Sequence, residues 1–295
     1  MAKAFGKVIL AGEHAVVYGY PAIASVIGQS VRVEASYTNT PGFEFENHHL
    51  NARGDAEQLL EQLSPKLQSL LGERISKVQF KITSQIPGGC GLGSSAALSV
   101  ALIRSALDLF GEQKNTQEVT DMALEIEKIF HGNPSGIDHT VIAEESLIWF
   151  QENKAKHIQC PKPFNIVIAI TGPHAGTLKA VQAVRARYEN NPQATKHTLE
   201  AIADITHNMR EAIQTGDIKS VATLMTENHK LLGALGVSTP ELDSLCKLAI
   251  DNGALGAKLT GAGGGGSIIA LTHEPNRLAA VFKQAGYQAL QTVVG

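Results

Sequence analysis

The sequence predicts an α+β fold that is divided into two domains. Its 295 residues, 43% of them hydrophobic, are enough for a substantial core and for more than one domain. Segments with the patterns of strands and of helices alternate in both halves. Between the halves, residues 151–163 (QENKAKHIQCPKP) are polar, contain two prolines and show no period, as a connecting segment would. We therefore place one domain at residues 1–160 and the other at residues 161–295.

Alternating or continuous apolar runs predict the strands, and apolar residues three and four apart predict the helices. The expected strands are Lys7–Leu10, Tyr20–Ile27, Val31–Tyr37, Lys77–Ile82, Phe164–Thr171, Ala257–Thr260, Ser267–Leu271 and Gln288–Val294. The expected helices are Asp55–Leu71, Ser95–Phe110, Glu118–Phe130, Thr177–Asn190, Thr195–Thr215, Asp217–Leu235, Thr239–Asn252 and Asn276–Ala285. Residues 39–51 suggest a loop or a hairpin. Asn115 and Glu118 have the spacing of a capping box.

Charge and composition exclude several classes of partner. The 25 basic and 28 acidic residues give a net charge of −3 with no strongly basic segment, so nothing favours nucleic acid. No segment approaches the ~20 apolar residues of a membrane span or the apolar stretch of a signal peptide. We therefore expect a soluble, cytoplasmic protein with no membrane partner. Three widely spaced cysteines argue against a disulfide framework and against a zinc site.

A glycine-rich loop, Pro87–Ala97 (PGGCGLGSSAA), lies between a strand and a helix that is apolar almost all round. Glycines let the backbone approach a ligand closely, and the first amides of a helix are free to bind an anion. The loop therefore predicts a phosphate site. It lacks the lysine of a Walker A loop and the G-x-G-x-x-G spacing of a Rossmann loop. Loop amides could also lower the thiol pKa of Cys90 and make it reactive.

Two carboxylates, Glu127 and Asp138, follow this loop. Glu127 falls at the flank of the apolar stripe of its helix, and the segment His131–Gly136 (HGNPSG) turns the chain back before Asp138. A pair of carboxylates near a phosphate loop suits Mg²⁺ binding and orientation of an attacking hydroxyl. The spacing alone leaves open a solvated helix-edge glutamate and an ordinary turn aspartate.

Two further segments carry unusual residues. The run Gly261–Gly266 (GAGGGG) lies between two apolar strands, where such bare backbone usually approaches something closely. The turn Ala11–Gly19 (AGEHAVVYG) carries Glu13 and His14 just after a strand that contains Lys7. Taken alone, His14 is more often a structural histidine than a catalytic one, and Lys7 is usually a surface residue.

Together these segments resemble the GHMP kinases, a family of small-molecule kinases. The three motifs of that family are present in order, as KVILAGEHAVVYG at residues 7–19, PGGCGLGSSAA at 87–97 and KLTGAGGGGS at 258–267. The resemblance implies an N-terminal domain like domain 2 of ribosomal protein S5 and a ferredoxin-like C-terminal domain. It also implies that ATP and an acceptor substrate meet between the two domains.

The resemblance implies a role for each matching residue. Asp138 would be the catalytic aspartate beside the acceptor hydroxyl, and Lys7 would stabilise the charge that develops during transfer. Ser95 and Glu127 would ligate Mg²⁺. The substrate would be held by Glu13, His14 and Thr177. The nucleotide would be bound by Ser84, by the loop residues Gly89, Cys90, Gly91, Leu92, Gly93, Ser94 and Ser95, and by Gly263.

Within the family, GEHAVVYG and the segment HGNPSGID at residues 131–138 are most similar to the branch that phosphorylates the C5 hydroxyl of mevalonate with ATP. Two alternatives stay open. One is a member that acts on another small hydroxylated substrate, such as phosphomevalonate or a sugar. The other is a catalytically silent member that binds only a nucleotide or a regulatory ligand; the intact Lys7, Ser95, Glu127 and Asp138 argue against it. A homodimer is an expectation from the family alone.

Overall fold

The computed structural model describes residues 1–46, 56–131, 134–173 and 177–295, and the side chains of residues 56–61, 131 and 177 lie outside this description. Along the described residues the strands are β1 (Ala2–Ala11), β2 (Ala22–Tyr37), β3 (Gly42–Phe45), β4 (Val78–Ser84), β5 (Ile148–Gln151), β6 (Lys154–His157), β7 (Phe164–Gly172), β8 (Gly256–Thr260), β9 (Gly266–Leu271) and β10 (Gln288–Val294). The α-helices are α1 (Ala56–Leu71), α2 (Ser94–Phe110), α3 (Thr116–His131), α4 (Ile137–Glu144), α5 (Thr177–Asn190), α6 (Pro192–Thr215), α7 (Ile218–Ala234), α8 (Pro240–Asp251) and α9 (Pro275–Gln284).

The chain forms two compact units, each assembled from three segments. The first unit comprises residues 1–6, 29–88 and 93–145, and the second comprises residues 7–28, 89–92 and 146–295. The domain boundary after residue 160 stays a prediction. Among the described residues, no helix has both the length and the apolar character that crossing a membrane requires.

The first unit contains strands of one sheet and a group of helices that pack against one another. The second half of β2 pairs antiparallel with β4, and β3 pairs parallel with β4. Helix α2 packs against α3 and α4, and its residues from Ala96 to Ile103 are all buried. This confirms the buried helix that the sequence predicts after the glycine loop. The predicted capping box is also confirmed, because Asn115 Oδ1 accepts from the Glu118 amide at 3.0 Å and Glu118 Oε2 accepts from the Asn115 amide at 2.9 Å.

In the second unit, four antiparallel strands in the order β10-β7-β9-β8 form a sheet under helices. Strand β7 lies inside the sheet, and its residues from Ile166 to Ala169 are completely buried, which agrees with the continuous apolar run in the sequence. Helices α7 and α8 pack against β8, and α9 packs against β7 and β10. The glycine run therefore connects β8 and β9, two paired strands of this sheet.

Two expectations about strands are wrong. The segments Tyr20–Ile27 and Val31–Tyr37 belong to one continuous strand, β2, because Gly28 stays extended and its amide donates to Thr292 Oγ1 at 3.1 Å. The loop or hairpin expected at residues 39–51 contains β3, which pairs with β4; residues 47–51 lie outside the described part.

The stretch 151–163 is not without structure, because it contains most of the β5–β6 hairpin. Its turn residues Glu152 and Asn153 have φ angles of 50° and 59°, the left-handed conformation that two-residue hairpins favour. A glutamate in the first turn position is not a usual turn signal, and the β6 residues are mostly exposed and polar. For these two reasons the sequence shows neither a turn signal nor a strand pattern in this stretch.

Candidate active site

Hydrogen bonds in the second unit, from both backbone and side-chain groups, bring parts of all three motifs together. The Lys7 amide in β1 donates to the Leu92 carbonyl at 2.9 Å. Two residues further on, the Ile9 amide donates to Thr260 Oγ1 at 2.9 Å, and that hydroxyl lies 3.2 Å from the Ile9 carbonyl. Ser267 Oγ donates to the Cys90 carbonyl at 2.8 Å. These segments lie far apart in the sequence, so they come together only in the folded protein.

The loop segment 89–92 alternates between half-buried glycines and buried side chains. Gly89 and Gly91 have φ angles of 71° and 79°, whereas Cys90 and Leu92 point into the unit. Such alternation of left-handed and ordinary backbone is the conformation in which successive amides form anion-binding concavities. Gly91 has a second reason to lack a side chain, because a Cβ there would lie 3.2 Å from the Thr260 carbonyl oxygen.

The expectation that loop amides activate Cys90 is wrong. The residue is 3% exposed, and burial raises the pKa of its thiol to about 11. Desolvation of the thiolate therefore outweighs any stabilisation by the amides, and the thiol stays protonated at neutral pH. Its side chain fills the interior beneath the loop, which is a packing role.

The second glycine run also has a packing reason for its composition. At Gly263, φ is 77° and a Cβ would lie 2.1 Å from the Val237 carbonyl oxygen. The neighbouring Gly264 amide donates to that same carbonyl at 2.8 Å. Gly263 is thus the point where the run lies directly against the chain after α7; its predicted contact with the nucleotide stays a prediction.

Substituting Gly263 by alanine is expected to destabilise the protein by about 3–5 kcal/mol, since a backbone overlap adds to the cost of positive φ. Gly264→Ala is the matched control: its φ is 70°, but a Cβ there would meet nothing within 4 Å. We expect it to cost only about 1–2 kcal/mol. Urea unfolding of both variants measures the difference, and equal losses would contradict this packing argument.

In the first unit, α2 and α3 place Ser95 beside Glu127. Ser95 lies in the first turn of α2, whose N-cap residue Gly93 has φ 73° and whose first residue Ser94 is half-buried. Ser95 Oγ donates to Glu127 Oε2 at 3.2 Å, and Ser99 Oγ lies 3.1 Å from Glu127 Oε1. Glu127 is 1% exposed. The solvated helix-edge glutamate that the spacing left open is therefore wrong.

This pair of oxygens fits Mg²⁺. Two neighbouring ligands of an octahedral Mg²⁺ ion at ~2.1 Å lie about 3.0 Å apart, which is close to the 3.2 Å between Ser95 Oγ and Glu127 Oε2. A hydroxyl and a single carboxylate also match the few protein ligands that Mg²⁺ usually takes beside phosphate oxygens and water. No cluster of three or more His, Cys, Asp or Glu side chains with metal-binding geometry exists within the described part of the chain.

Asp138 lies at the start of the short helix α4, an element that the sequence analysis did not predict. The N-cap of α4 is Gly136, with φ 92°, and Asp138 is the acidic residue of its first turn. All residues from His139 to Ala143 are buried, whereas Asp138 is half-buried. The helix dipole favours a carboxylate at this end. Because α4 is short and buries polar residues such as His139 and Thr140 together with its apolar ones, it has no apolar period that the sequence could show.

The neighbouring His139 predicts a pH dependence of stability. Burial lowers its pKa to about 4, although Asp138 and Asp121 oppose the shift. The unfolded chain takes up a proton near pH 6.5, whereas the folded protein does so only near pH 4, so stability is lost as the pH falls through this window. The full loss is on the order of 3 kcal/mol.

Urea unfolding at pH 7 and pH 4.5 checks this effect. His139→Gln is expected to lose about 2–3 kcal/mol less than the unaltered protein between the two pH values. His197→Gln, which replaces an exposed histidine on α6, should behave like the unaltered protein. Equal losses in the unaltered protein and in His139→Gln would show that His139 does not couple protonation to folding.

The first motif lies in the second unit and carries three buried polar side chains. Lys7 on β1 is 2% exposed, Glu13 1% and His14 6%. His14 Nε2 donates to the Ala262 carbonyl at 2.9 Å, and burial lowers the pKa of its imidazole, so the ring is neutral. Glu13 forms an ion pair with Lys258, which is fully buried, and accepts from Asn228 Nδ2 at 3.1 Å. The surface interpretation of Lys7 is therefore wrong.

Two functional candidates were missed by sequence reasoning. Lys258 belongs to the third motif, but a lysine in a strand gives no sign of a buried partner. Asn228 lies on the buried face of α7 with Val221, Met225 and Leu232. A single polar residue on an apolar helix face was the available signal for Asn228.

The remaining predicted residues have local roles. Ser84 is 1% exposed and its hydroxyl bonds with both the amide and the carbonyl of Ile86, which fixes the turn before the glycine loop. Thr177 begins α5, and its side chain lies outside the described residues. The functional assignments of both residues stay predictions.

The chain belongs to the GHMP kinase family. Residues 56–144 match the GHMP kinases N terminal domain, and residues 209–288 match the GHMP kinases C terminal domain. The predicted two-domain GHMP kinase fold is confirmed. Among curated relatives, the mevalonate kinases of Pyrococcus furiosus and Pyrococcus horikoshii are 38% and 36% identical to it. These matches cover 94% and 97% of this chain, and 90% and 92% of the respective relatives.

A solved structure of L. major mevalonate kinase in complex with R-mevalonate superposes with a TM-score of 0.86 at 28% identity. It matches 98% of this chain and 94% of that one. The mevalonate kinase from methicillin-resistant Staphylococcus aureus superposes with a TM-score of 0.73 at 27% identity.

Proposed function

We propose that this chain transfers the terminal phosphoryl group of ATP to the C5 hydroxyl of mevalonate, giving 5-phosphomevalonate and ADP in isoprenoid precursor synthesis. The observation that carries this proposal is the similarity to mevalonate kinases over nearly the whole length of both chains, at 35–38% identity for the archaeal relatives of the genera Pyrococcus and Thermococcus. The convergence of the three motifs in the second unit, and the Ser95–Glu127 pair in the first, supply the residues that such a reaction needs.

Phosphoryl transfer depends mainly on positioning and on neutralising charge. In our proposal, the amides of Gly89 to Ser95 bind the phosphates of ATP. Ser95 and Glu127 hold Mg²⁺, which offsets phosphate charge when bound. Lys7 is a buried cation on a strand, so its position is well fixed for stabilising the charge that develops during transfer.

The remaining roles concern the acceptor. Asp138 orients the C5 hydroxyl of mevalonate or accepts its proton, from the first turn of a helix whose other residues hold it in the core. The Glu13–His14 turn holds mevalonate together with Thr177. Ser84 and Gly263 complete the nucleotide-binding set. A homodimer and a cytoplasmic location stay predictions, and sedimentation and cell fractionation respectively test them.

A substrate panel tests the proposal. ADP release is measured with Mg·ATP and either mevalonate, phosphomevalonate, galactose or homoserine, against a sample without acceptor. We expect turnover with mevalonate well above the ATPase background and no comparable rate with the other three. Turnover of phosphomevalonate but not of mevalonate would refute the proposed substrate.

A further inference from the structure

A buried ion pair lies behind the first motif. Lys258 is completely buried, and its ammonium group donates to Glu13 Oε1, to the Leu259 carbonyl at 2.6 Å and to the Ile9 carbonyl at 3.3 Å. An ammonium group has three protons, so all three are used. Burial lowers the pKa of Lys258, while Glu13 opposes that shift. The position of the ammonium group is therefore fixed by two backbone carbonyls and one carboxylate.

Both oxygens of the Glu13 carboxylate are engaged. Oε1 accepts from Lys258, and Oε2 accepts from Asn228 Nδ2 at 3.1 Å. Asn228 is completely buried, and the only partner of its side chain among the described residues is Glu13, since its Oδ1 atom accepts no hydrogen bond there. An asparagine in this position has little structural benefit beyond the bond to Glu13, because a buried oxygen without a partner is costly.

The residue after Glu13 has a strained backbone. His14 has φ 61° and ψ −43°, and the Ala15 amide donates across it to the Glu13 carbonyl at 2.7 Å. This is a γ-turn of the rare kind with positive φ, which persists only where the surroundings enforce it. The enforcement comes from both sides: Lys258 and Asn228 hold Glu13, and the Ala262 carbonyl holds the His14 ring at 2.9 Å.

We propose that Lys258 and Asn228 are positioning residues for the known reaction class: they lock the Glu13 carboxylate and thereby keep His14 in the strained turn that presents it to the acceptor substrate. In this proposal the buried carboxylate of Glu13 acts by holding the turn at His14 in place. The identity of that substrate as mevalonate rests on the proposed function, whereas the locking of the turn does not.

The experiment compares Asn228→Asp and Asn228→Ala with the unaltered protein. The aspartate is isosteric but faces Glu13 Oε2 with a second carboxylate, and the alanine removes the donor without adding charge. Asn276→Asp is the matched control, because Asn276 is exposed and its Oδ1 acceptor is kept.

If either Asn228 variant fails to fold, the other supplies the measurement. Two readouts are taken: hydrogen exchange of the peptide covering residues 11–19, and the KM values for mevalonate and ATP.

We expect exchange of the peptide covering residues 11–19, which contains the Ala15 amide, to be at least about tenfold faster in the Asn228 variants, with the control unchanged. The KM for mevalonate should rise about tenfold and the KM for ATP less than about twofold. Unchanged exchange in the turn, equal acceleration throughout the chain, or equal rises of both KM values would overturn the proposal. If the unaltered protein does not phosphorylate mevalonate, the proposed function fails. The exchange data and the KM of whichever acceptor is turned over then decide the positioning role.

Discussion

Asp138→Asn is expected to lower kcat for mevalonate phosphorylation by about 10³-fold while ATP binds with nearly unchanged affinity. The substitution keeps the shape of the side chain but removes the charge that orients the C5 hydroxyl or accepts its proton, a contribution that typically amounts to 10²–10⁴-fold. The α4 helix should still form, because its stability comes from the buried residues around Asp138.

Steady-state kinetics and a direct ATP-binding titration measure the two halves of this prediction. Asp121→Asn is the matched control, because Asp121 is an exposed aspartate of α3 in the same compact unit. The control should retain kcat within about twofold. Near-normal turnover in Asp138→Asn would remove Asp138 from its proposed role.

Glu127→Gln is expected to raise the Mg²⁺ concentration needed for half-maximal activity by at least about tenfold, and to lower kcat at ordinary Mg²⁺ by about 10²-fold. A neutral amide oxygen is a weaker ligand for Mg²⁺ than a carboxylate. The hydroxyls of Ser95 and Ser99, which lie 3.2 Å and 3.1 Å from the carboxylate oxygens, can both bond with an amide, so we expect the variant to fold.

The measurement is a Mg²⁺ titration of activity at fixed ATP, with the KM for mevalonate determined at saturating Mg²⁺. Glu125→Gln is the control, because Glu125 lies on the same helix and pairs with Lys66 and Lys128 at the surface. An unchanged Mg²⁺ titration in Glu127→Gln would count against this residue as a metal ligand.

Where a local residue pattern determines an element, the sequence predicts it well. The buried helix α2, the capping box at Asn115 and the continuous apolar strand β7 all follow from local residue choice. Elements without such a pattern were missed. Strand β6 is mostly exposed and polar, and α4 buries polar residues together with apolar ones, so neither has an apolar period of its own.

The same distinction applies to the candidate site: features that follow from residue type were predicted, and features that depend on long-range packing were not. Glycine spacing predicts an anion loop, because backbone freedom is visible in the residue type. The ion pair of Lys258 with Glu13 joins residues 245 positions apart, and no local pattern marks it. The state of the Cys90 thiol was also beyond the sequence, since it depends on which way the side chain points. The sequence shows that Cys90 lies in a glycine-rich loop with amides close to its thiol. Its pKa, however, is determined by burial of the side chain, which the sequence does not show.

The most direct test of the proposed reaction is the ³¹P NMR spectrum of the product formed from mevalonate and Mg·ATP. Transfer to the primary C5 hydroxyl predicts one new phosphomonoester resonance, split by coupling to the two protons on C5, together with stoichiometric ADP. An unsplit phosphomonoester resonance, from transfer to the tertiary C3 hydroxyl, or the absence of any phosphorylated mevalonate would contradict the account.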